Sequence, residues 1–179
     1  MCAASRPLVH TAPPFVHAAP PLFTRVCRGH SYIVYAPLLR GCTTVLYEGK
    51  PVGTPDAGEY WRIVEEYGVN AMFTAPTALR AIRKADPKNE FMTSDMSTLR
   101  AIFVAGERCD PGTVEYFEGI MGRPVVDHWW QTESGTPMCG VQAHEVGTTP
   151  GSCGLPLPGY DMKVLDEKGE GVDDGVMGR

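Results

Sequence analysis

The sequence predicts an α/β fold, a mostly parallel sheet with helices packed on its faces. Three observations lead there. Between Thr43 and Trp129, short apolar or β-branched runs alternate with segments of helical period. Helix signals fall between those runs, with Gly68 closing one periodic stretch and Pro76 and Asp110-Pro111 opening two others. The densest polar cluster of the chain, Gln131 to Ser134, comes directly after an apolar run. Strand, helix, strand in succession is the signature of a parallel sheet with helical crossovers.

The elements are taken in chain order. Residues 1 to 28 stand apart: they hold Pro7, Pro13, Pro14, Pro20 and Pro21, and no acidic residue precedes Glu48. Proline at this density works against both helices and sheet ladders, so this stretch is expected to be disordered or unrelated to the rest of the chain. Its arginines and lack of acids admit a mitochondrial transit peptide, although a serine-rich amphipathic helix is missing. Prolines interrupt every candidate core of a secretory signal. From Gly29 the chain becomes regular. His30 to Leu39 is apolar and reads as helix or buried strand. Gly41 ends it, and Thr43 to Tyr47 reads as a strand. Glu59 to Tyr67 carries Tyr60, Val64 and Tyr67 at helical spacing and is capped by Gly68. Asn70 to Thr74 is strand-like. Pro76 opens a helix through Ala85, with Arg80, Arg83 and Lys84 late in it, where cations suit the helix dipole.

Leu99 to Ala105 reads as a strand, and Asp110-Pro111 starts a helix with Asp as N-cap and Pro in the first position. Val114, Phe117 and Met121 form its expected buried face. Val125 to Trp129 is the next strand, bounded by Arg123-Pro124 and Gly135. Residues 134 to 159 show no period. Tyr160 to Leu165 alternates as a strand before a turn at Asp166 to Gly171. Right-handed crossovers bring the C-terminal strand ends to one edge, where ligands bind in open α/β sheets. The turns after Thr74, Ala105 and Trp129 then face one crevice.

Composition bounds what such a domain does. The 179 residues suffice for one domain with a core. Hydrophobic residues at 43% and charged residues at 21% are ordinary for a globular protein. A net charge of −5 argues against a general attraction to nucleic acid. No apolar run approaches the ~20 residues of a membrane span. The six cysteines, Cys2, Cys27, Cys42, Cys109, Cys139 and Cys153, form no C-x-x-C pair and suggest neither a zinc site nor a disulfide scaffold. They read as buried or incidental thiols of a reducing compartment. His144-Glu145 lacks a second histidine at ligand spacing, so no metal role is assigned there.

At the crevice, Gly106-Glu107-Arg108 lets a flat ring approach the backbone, or is a plain strand-to-helix turn with a solvated ion pair. Trp129 and Trp130, if on one strand, point to opposite faces, so that one packs in the core while the other lines a pocket, or both pack. Gln131, Thr132 and Glu133 place a hydroxyl beside a carboxylate. That pair suits a phosphate with its Mg²⁺, and is otherwise a polar loop.

The motif D-H-W-W-Q-T-E-S-G, Asp127 to Gly135, resembles the central motif of the adenylate-forming, AMP-binding enzymes. Its two tryptophans resemble the short-chain acyl-CoA synthetases of the acetyl and propionyl type. Gly29-His30-Ser31-Tyr32, the F-T-A-P-T-A-L-R of Phe73 to Arg80, the A-G-E-R of Ala105 to Arg108 and the G-S-C-G-L-P-L-P-G of Gly151 to Gly159 agree with it. The resemblance runs from residue 29 to residue 179. It implies part of the large N-terminal domain of such an enzyme. It also implies a reaction in which ATP activates acetate or propionate as an acyl-adenylate, and CoA then displaces AMP. ATP, Mg²⁺, CoA and a small carboxylic acid are the implied cofactors and partners, with no nucleic acid among them. Gly106, Glu107 and Arg108 would border the adenine. Asp127, His128, Trp129, Trp130, Gln131 and Thr132 would form the ATP-binding strand and turn. Thr132 would contact the α-phosphate and Glu133 would hold Mg²⁺, these two being the catalytic candidates. Asn70 would contact CoA. Trp130 would end the acyl pocket, and Ala105, where acetyl enzymes usually have valine, would leave room for one more methylene. That is worth about 0.8 kcal/mol when buried and favours propionate without excluding acetate.

The chain also departs from the family pattern. Cys27 and Arg28 stand where an acyl- and CoA-lining segment is expected, and Ser134 replaces the usual threonine. Neither the phosphate-cradling Ser/Thr/Gly loop nor the C-terminal lid domain with its lysine is found. Residues 29 to 179 therefore read as a partial adenylation domain, expected to have little synthetase activity by itself. A non-catalytic nucleotide-binding or interaction module is the alternative. The compartment expected from the resemblance is the mitochondrial matrix or the cytoplasm.

Overall fold

The computed structural model describes residues 8–10, 19–24, 35–47, 49–141 and 149–178. A six-stranded sheet forms the centre. Its strands are β1 (Leu8–His10), β2 (Ala19–Thr24), β3 (Cys42–Leu46), β4 (Ala71–Thr74), β5 (Ala101–Val104) and β6 (Val125–Asp127). They lie in the order β1-β3-β2-β4-β5-β6. All neighbouring pairs are parallel except β1 with β3. The expected α/β class with a mostly parallel sheet is the one observed.

Three helices bury one face of this sheet. They are α2 (Glu59–Tyr67), α3 (Pro76–Ala85) and α4 (Pro111–Met121), preceded by the short α1 (Ala36–Leu39). The register explains which side chains they meet. Met72, Ile102 and Val125 form one row across β4, β5 and β6, and all three are fully buried. Tyr60, Trp61, Ile63 and Val64 of α2, Leu79 and Ile82 of α3, and Val114 and Phe117 of α4 pack in the same core. The next row, Phe73, Phe103 and Val126, points to the opposite face because side chains alternate along a strand.

The helix boundaries obey their end signals. Helix α2 stops at Gly68, whose φ of 59° is left-handed and whose N–H bonds back to the Val64 and Glu65 carbonyls. An added Cβ at Gly68 would meet nothing within 4 Å, so Gly68→Ala isolates the conformational cost. It should lower stability by about 1 kcal/mol, read from urea denaturation. At α4, the Asp110 carboxylate accepts from the Thr113 N–H at 2.9 Å, the N-cap expected from sequence. Met121 and Tyr67 are only partly buried against the core.

The structure corrects four expectations. First, β1 and β2 belong to the sheet, with β2 between β3 and β4, so a boundary after Arg28 cuts through the sheet. The parallel ladder of β2 with β3 breaks register between Ala19 and Leu22, where Pro20 and Pro21 stand. Proline, lacking an N–H, is tolerated at such irregularities. The rest of 1–28, the Gly29–Tyr32 motif and His144-Glu145 lie outside the described residues. Second, the run from Val125 does not continue through Trp129. The His128 N–H reaches the Val104 carbonyl at 3.2 Å, and the chain then leaves for a second sheet. Third, that antiparallel sheet consists of β7 (Trp129–Trp130), β8 (Pro137–Gly140) and β9 (Leu155–Pro156), the last two lying in the stretch 134 to 159, where the sequence shows no period. Fourth, Tyr160 to Leu165 is not a strand; only Leu165 bridges to Gly171. The turn at Asp166 is present, its carboxylate accepting the Lys168 and Glu170 N–H groups.

Candidate nucleotide-binding site

The ends of β4, β5 and β6 open onto a cavity of about 970 Å³. Phe73, Ala105 to Arg108 and the whole run Asp127 to Glu133 line it. Gly151 and Cys153 close the far wall. Thus two of the three turns expected at one crevice contribute in full, and β4 contributes Phe73. Every candidate site residue lines this cavity except Asn70. That residue precedes β4, at the opposite end of the strand, and its side-chain amide donates to the Thr98 carbonyl at 2.8 Å.

Gly106 adopts φ 96°, a conformation open to glycine, which turns the chain out of β5 without a side chain over the cavity floor. Glu107 is both a pocket residue and the ion-pair member that the plainer reading expects. Its carboxylate accepts from the Thr77 hydroxyl, from the Thr77 N–H at 2.8 Å and from Arg80 at 2.8 Å. The Thr77 hydroxyl is the leading cause holding its pKa below the ordinary carboxylate range. Arg80 also reaches the Asp110 carboxylate at 3.2 Å. One guanidinium on α3 thereby ties the turn after β5 to the start of α4. Arg80 and Glu107 are each 39% exposed, so the pair is screened. Arg80→Gln should therefore cost less than about 1 kcal/mol of stability, measured by chemical denaturation. Arg108 turns the other way and donates to the Gly151 carbonyl at 3.1 Å, joining the near and far walls.

Asp127 is buried, and its carboxylate accepts the Cys109 N–H at 3.0 Å. Burial raises its pKa, against the hydrogen bonds from the Cys109 and His128 backbone and the charge of Arg108. The Cys109 thiol beneath it is pushed up to about 12, by burial first and the Asp127 carboxylate second. His128 is buried with its ring against Phe73 and Phe103, at centroid distances of 5.5 and 6.0 Å. Burial lowers its pKa to about 4, although the Val104 and Val126 backbone pulls it upward. A histidine held neutral in this way orders the wall and adds no charge to it. Phe73 and His128 also line a smaller apolar cavity of about 250 Å³ on the second-sheet side.

Neither tryptophan is a core residue. Trp129 is 43% exposed and pairs across from Cys139, while Trp130 is half-buried with its ring 6.3 Å from that of Phe73. Both line the cavity because the chain has changed sheets. The next turn is fixed by Ser134, whose hydroxyl receives the Gln131 N–H at 3.1 Å and donates toward the Gln131 and Thr136 carbonyls. Tyr160 donates to the Ser134 carbonyl at 3.2 Å. This scaffold leaves Thr132 and Glu133 exposed on the cavity wall, with no hydrogen bond or ion pair from either side chain among the described residues.

Sequence reasoning did not single out Phe73, Gly151 or Cys153 as cavity residues, or Thr77 and Arg80 as supports. The available signals were the quoted motifs that contain them. Gly151 and Gly154 each adopt φ 84°, the conformation that glycine-punctuated runs such as G-S-C-G provide.

A parallel sheet whose strand ends open onto a cavity with a polar turn defines a ligand-binding α/β domain of the open-sheet kind. The chain belongs to the AMP-binding enzyme family, whose family model matches residues 11–179. It is 52% identical over 143 residues to the human protein named acyl-CoA synthetase short-chain family member 3, mitochondrial, covering 78% of this chain and 21% of that protein. It is 46% identical over 142 residues to the propionate–CoA ligase of Salmonella typhimurium, covering 78% and 22%. The acetyl-coenzyme A synthetase of Laribacter hongkongensis is 44% identical over 155 residues, covering 84% and 23%. The crystal structure of the anthranilate CoA ligase AuaEII in complex with anthranoyl-AMP matches with a TM-score of 0.74 at 21% identity, covering 89% of this chain and 30% of that one. That match shows the fold. The chain thus spans 21 to 23% of the length of these curated relatives.

Proposed function

We propose that this chain supplies the nucleotide-binding strand edge of a short-chain acyl-CoA synthetase. The activity is ATP-dependent conversion of acetate or propionate to an acyl-adenylate, and then thioester formation with CoA. One observation carries the reading: Ala105 to Arg108 and Asp127 to Glu133, the residues of the two most telling motifs, line a single cavity. Gly106, Glu107 and Arg108 border the adenine, and Trp129 supplies an aromatic face beside them. Thr132 donates to a non-bridging oxygen of the α-phosphate, where the transition state carries its negative charge. Ala105 and Trp130 bound the acyl group, and the small Ala105 favours propionate. Asn70 serves CoA from the other end of β4.

The donor set also fits Mg²⁺. No group of three His, Cys, Asp or Glu capable of holding a metal occurs among the described residues. Glu133 places an exposed carboxylate on the cavity wall beside the Thr132 hydroxyl, and Mg²⁺ is commonly bound by one or two carboxylates with substrate phosphates and waters. The ion would neutralise phosphate charge during transfer. Glu133 holds its position from a turn that Ser134 and Tyr160 fix. The mitochondrial name of the human relative favours the matrix, and the bacterial ligases favour the cytoplasm.

Titration with ATP and AMP tests this reading through tryptophan fluorescence. Trp61 is 1% exposed in the core, so a nucleotide-dependent change reports Trp129 and Trp130. Saturable quenching supports the site; an unchanged signal at millimolar nucleotide overturns it. Pyrophosphate release with propionate then separates an active synthetase surface from a module that only binds nucleotide.

A further inference from the structure

Two cysteines sit on adjoining segments behind the far wall of the cavity. Cys139 lies buried in β8, opposite Trp129 on one side and Pro156 on the other. Cys153, half-buried, lines the cavity just before β9. The two segments are pressed together: a Cβ on Gly154 would come within 2.3 Å of the Gly140 carbonyl oxygen. Burial first, and Cys153 nearby, raise the pKa of Cys139.

We infer that Cys139 and Cys153 form a reversible disulfide, driven by a hydroperoxide oxidant, that bolts the far wall of the cavity to β8. The roles are asymmetric. Cys153 is the sulfur that solvent reaches, and Cys139 is buried and held as the thiol. The Cys153 thiolate attacks one oxygen of hydrogen peroxide, the O–O bond breaks, and hydroxide leaves to be protonated to water. The Cys153 sulfenic acid formed is then attacked by the Cys139 sulfur. Its S–O bond breaks, and hydroxide leaves with the Cys139 proton as a second water. Two thiols are oxidised, one peroxide is reduced, and a dithiol reductant reverses the change. Cys109, buried beneath Asp127 with its thiol pushed up to about 12, stays out of this chemistry.

The experiment treats the full chain with hydrogen peroxide, alkylates the remaining thiols and maps peptides without reduction. The expected product is one cross-linked peptide pair joining Cys139 to Cys153, lost on adding dithiothreitol, with a raised melting temperature for the oxidised form. Cys139→Ala should stop the reaction at a Cys153 sulfenic acid that dimedone traps, and Cys153→Ser should give neither product. The inference is overturned if wild-type Cys139 and Cys153 are alkylated as fully after peroxide as before. It is also overturned if Cys153 goes to sulfinic acid without a cross-link, or pairs with a different cysteine. The wild-type map needs no variant, so a misfolded substitution leaves the outcome decidable.

Discussion

Thr132→Val should weaken ATP binding by about 10- to 150-fold. The hydroxyl stands exposed on the cavity wall, and the turn that carries it is held by Ser134 and Tyr160, not by Thr132 itself. The substitution keeps the β-branched shape and removes the hydroxyl proposed to donate to an anionic phosphate. Hydrogen bonds to charged groups contribute about 1.5–3 kcal/mol, and about 1.4 kcal/mol is a tenfold change in affinity. Glu133→Gln should act differently. It keeps the side chain's size but removes its charge, so the Mg²⁺ dependence of ATP affinity should flatten while AMP binding persists. Isothermal titration with and without Mg²⁺ reads both variants. An unchanged ATP affinity in Thr132→Val would remove that side chain from the phosphate site, and a retained Mg²⁺ dependence in Glu133→Gln would remove the carboxylate from the ion.

The parts of this fold that were legible in the sequence are those whose causes are local. Helices α2 and α3 begin and end at the expected residues because Gly68 supplies a left-handed cap and Pro76 a first-turn proline. The N-cap of α4 was equally plain, since Asp110 needs only its own third neighbour to satisfy its carboxylate. What escaped was set by partners far along the chain. V-V-D-H-W-W holds no glycine or proline to punctuate it, and nothing in it marks the step from β6 to β7. The step exists because Trp129 pairs with Cys139 rather than with a neighbour in the large sheet. For the same reason β8 and β9, at four and two residues, give no alternation long enough to read. In β2 the prolines obscured a strand that tolerates them at a break in register.

The candidate site divides along the same line. Gly106 to Arg108 and Asp127 to Glu133 are contiguous motifs at expected strand ends, so their meeting at one cavity was legible in the sequence. Arg80 and Thr77 act on Glu107 across about one helix and one strand of chain, and only the folded arrangement shows that the turn after β5 is tied to α3. Cys153 similarly reaches the cavity only because Gly154 lets its segment lie on Gly140. The two thiols were separate residues in the sequence and are neighbours in the structure.

Acidification should destabilise the chain through His128, and replacing that residue should remove much of the effect. His128 titrates near 6.5 when solvated and is lowered to about 4 in the fold, with burial the principal cause. Between these values the unfolded chain takes up a proton that the folded chain refuses. The stability His128 gives is therefore present above 6.5 and is lost as pH falls toward 4; below that both states are protonated and the loss is complete. At about 1.4 kcal/mol per pH unit, the gap amounts to about 3 kcal/mol. Other groups act in the acid range as well. Glu107 and Asp110, held low chiefly by the Thr77 and Thr113 hydroxyls, lose their contribution as pH falls through their lowered values. Asp127, raised by burial, acts with the opposite sign: its contribution is present at low pH and is lost as pH rises through its folded value. A comparison with His128→Phe isolates the histidine, because these carboxylates are common to both proteins and phenylalanine keeps an aromatic ring between Phe73 and Phe103. Urea denaturation from neutral pH to about 4 should show the wild type losing about 3 kcal/mol more than the variant. Parallel curves for the two proteins would mean that the buried ring is protonated at no greater cost in the fold than in water.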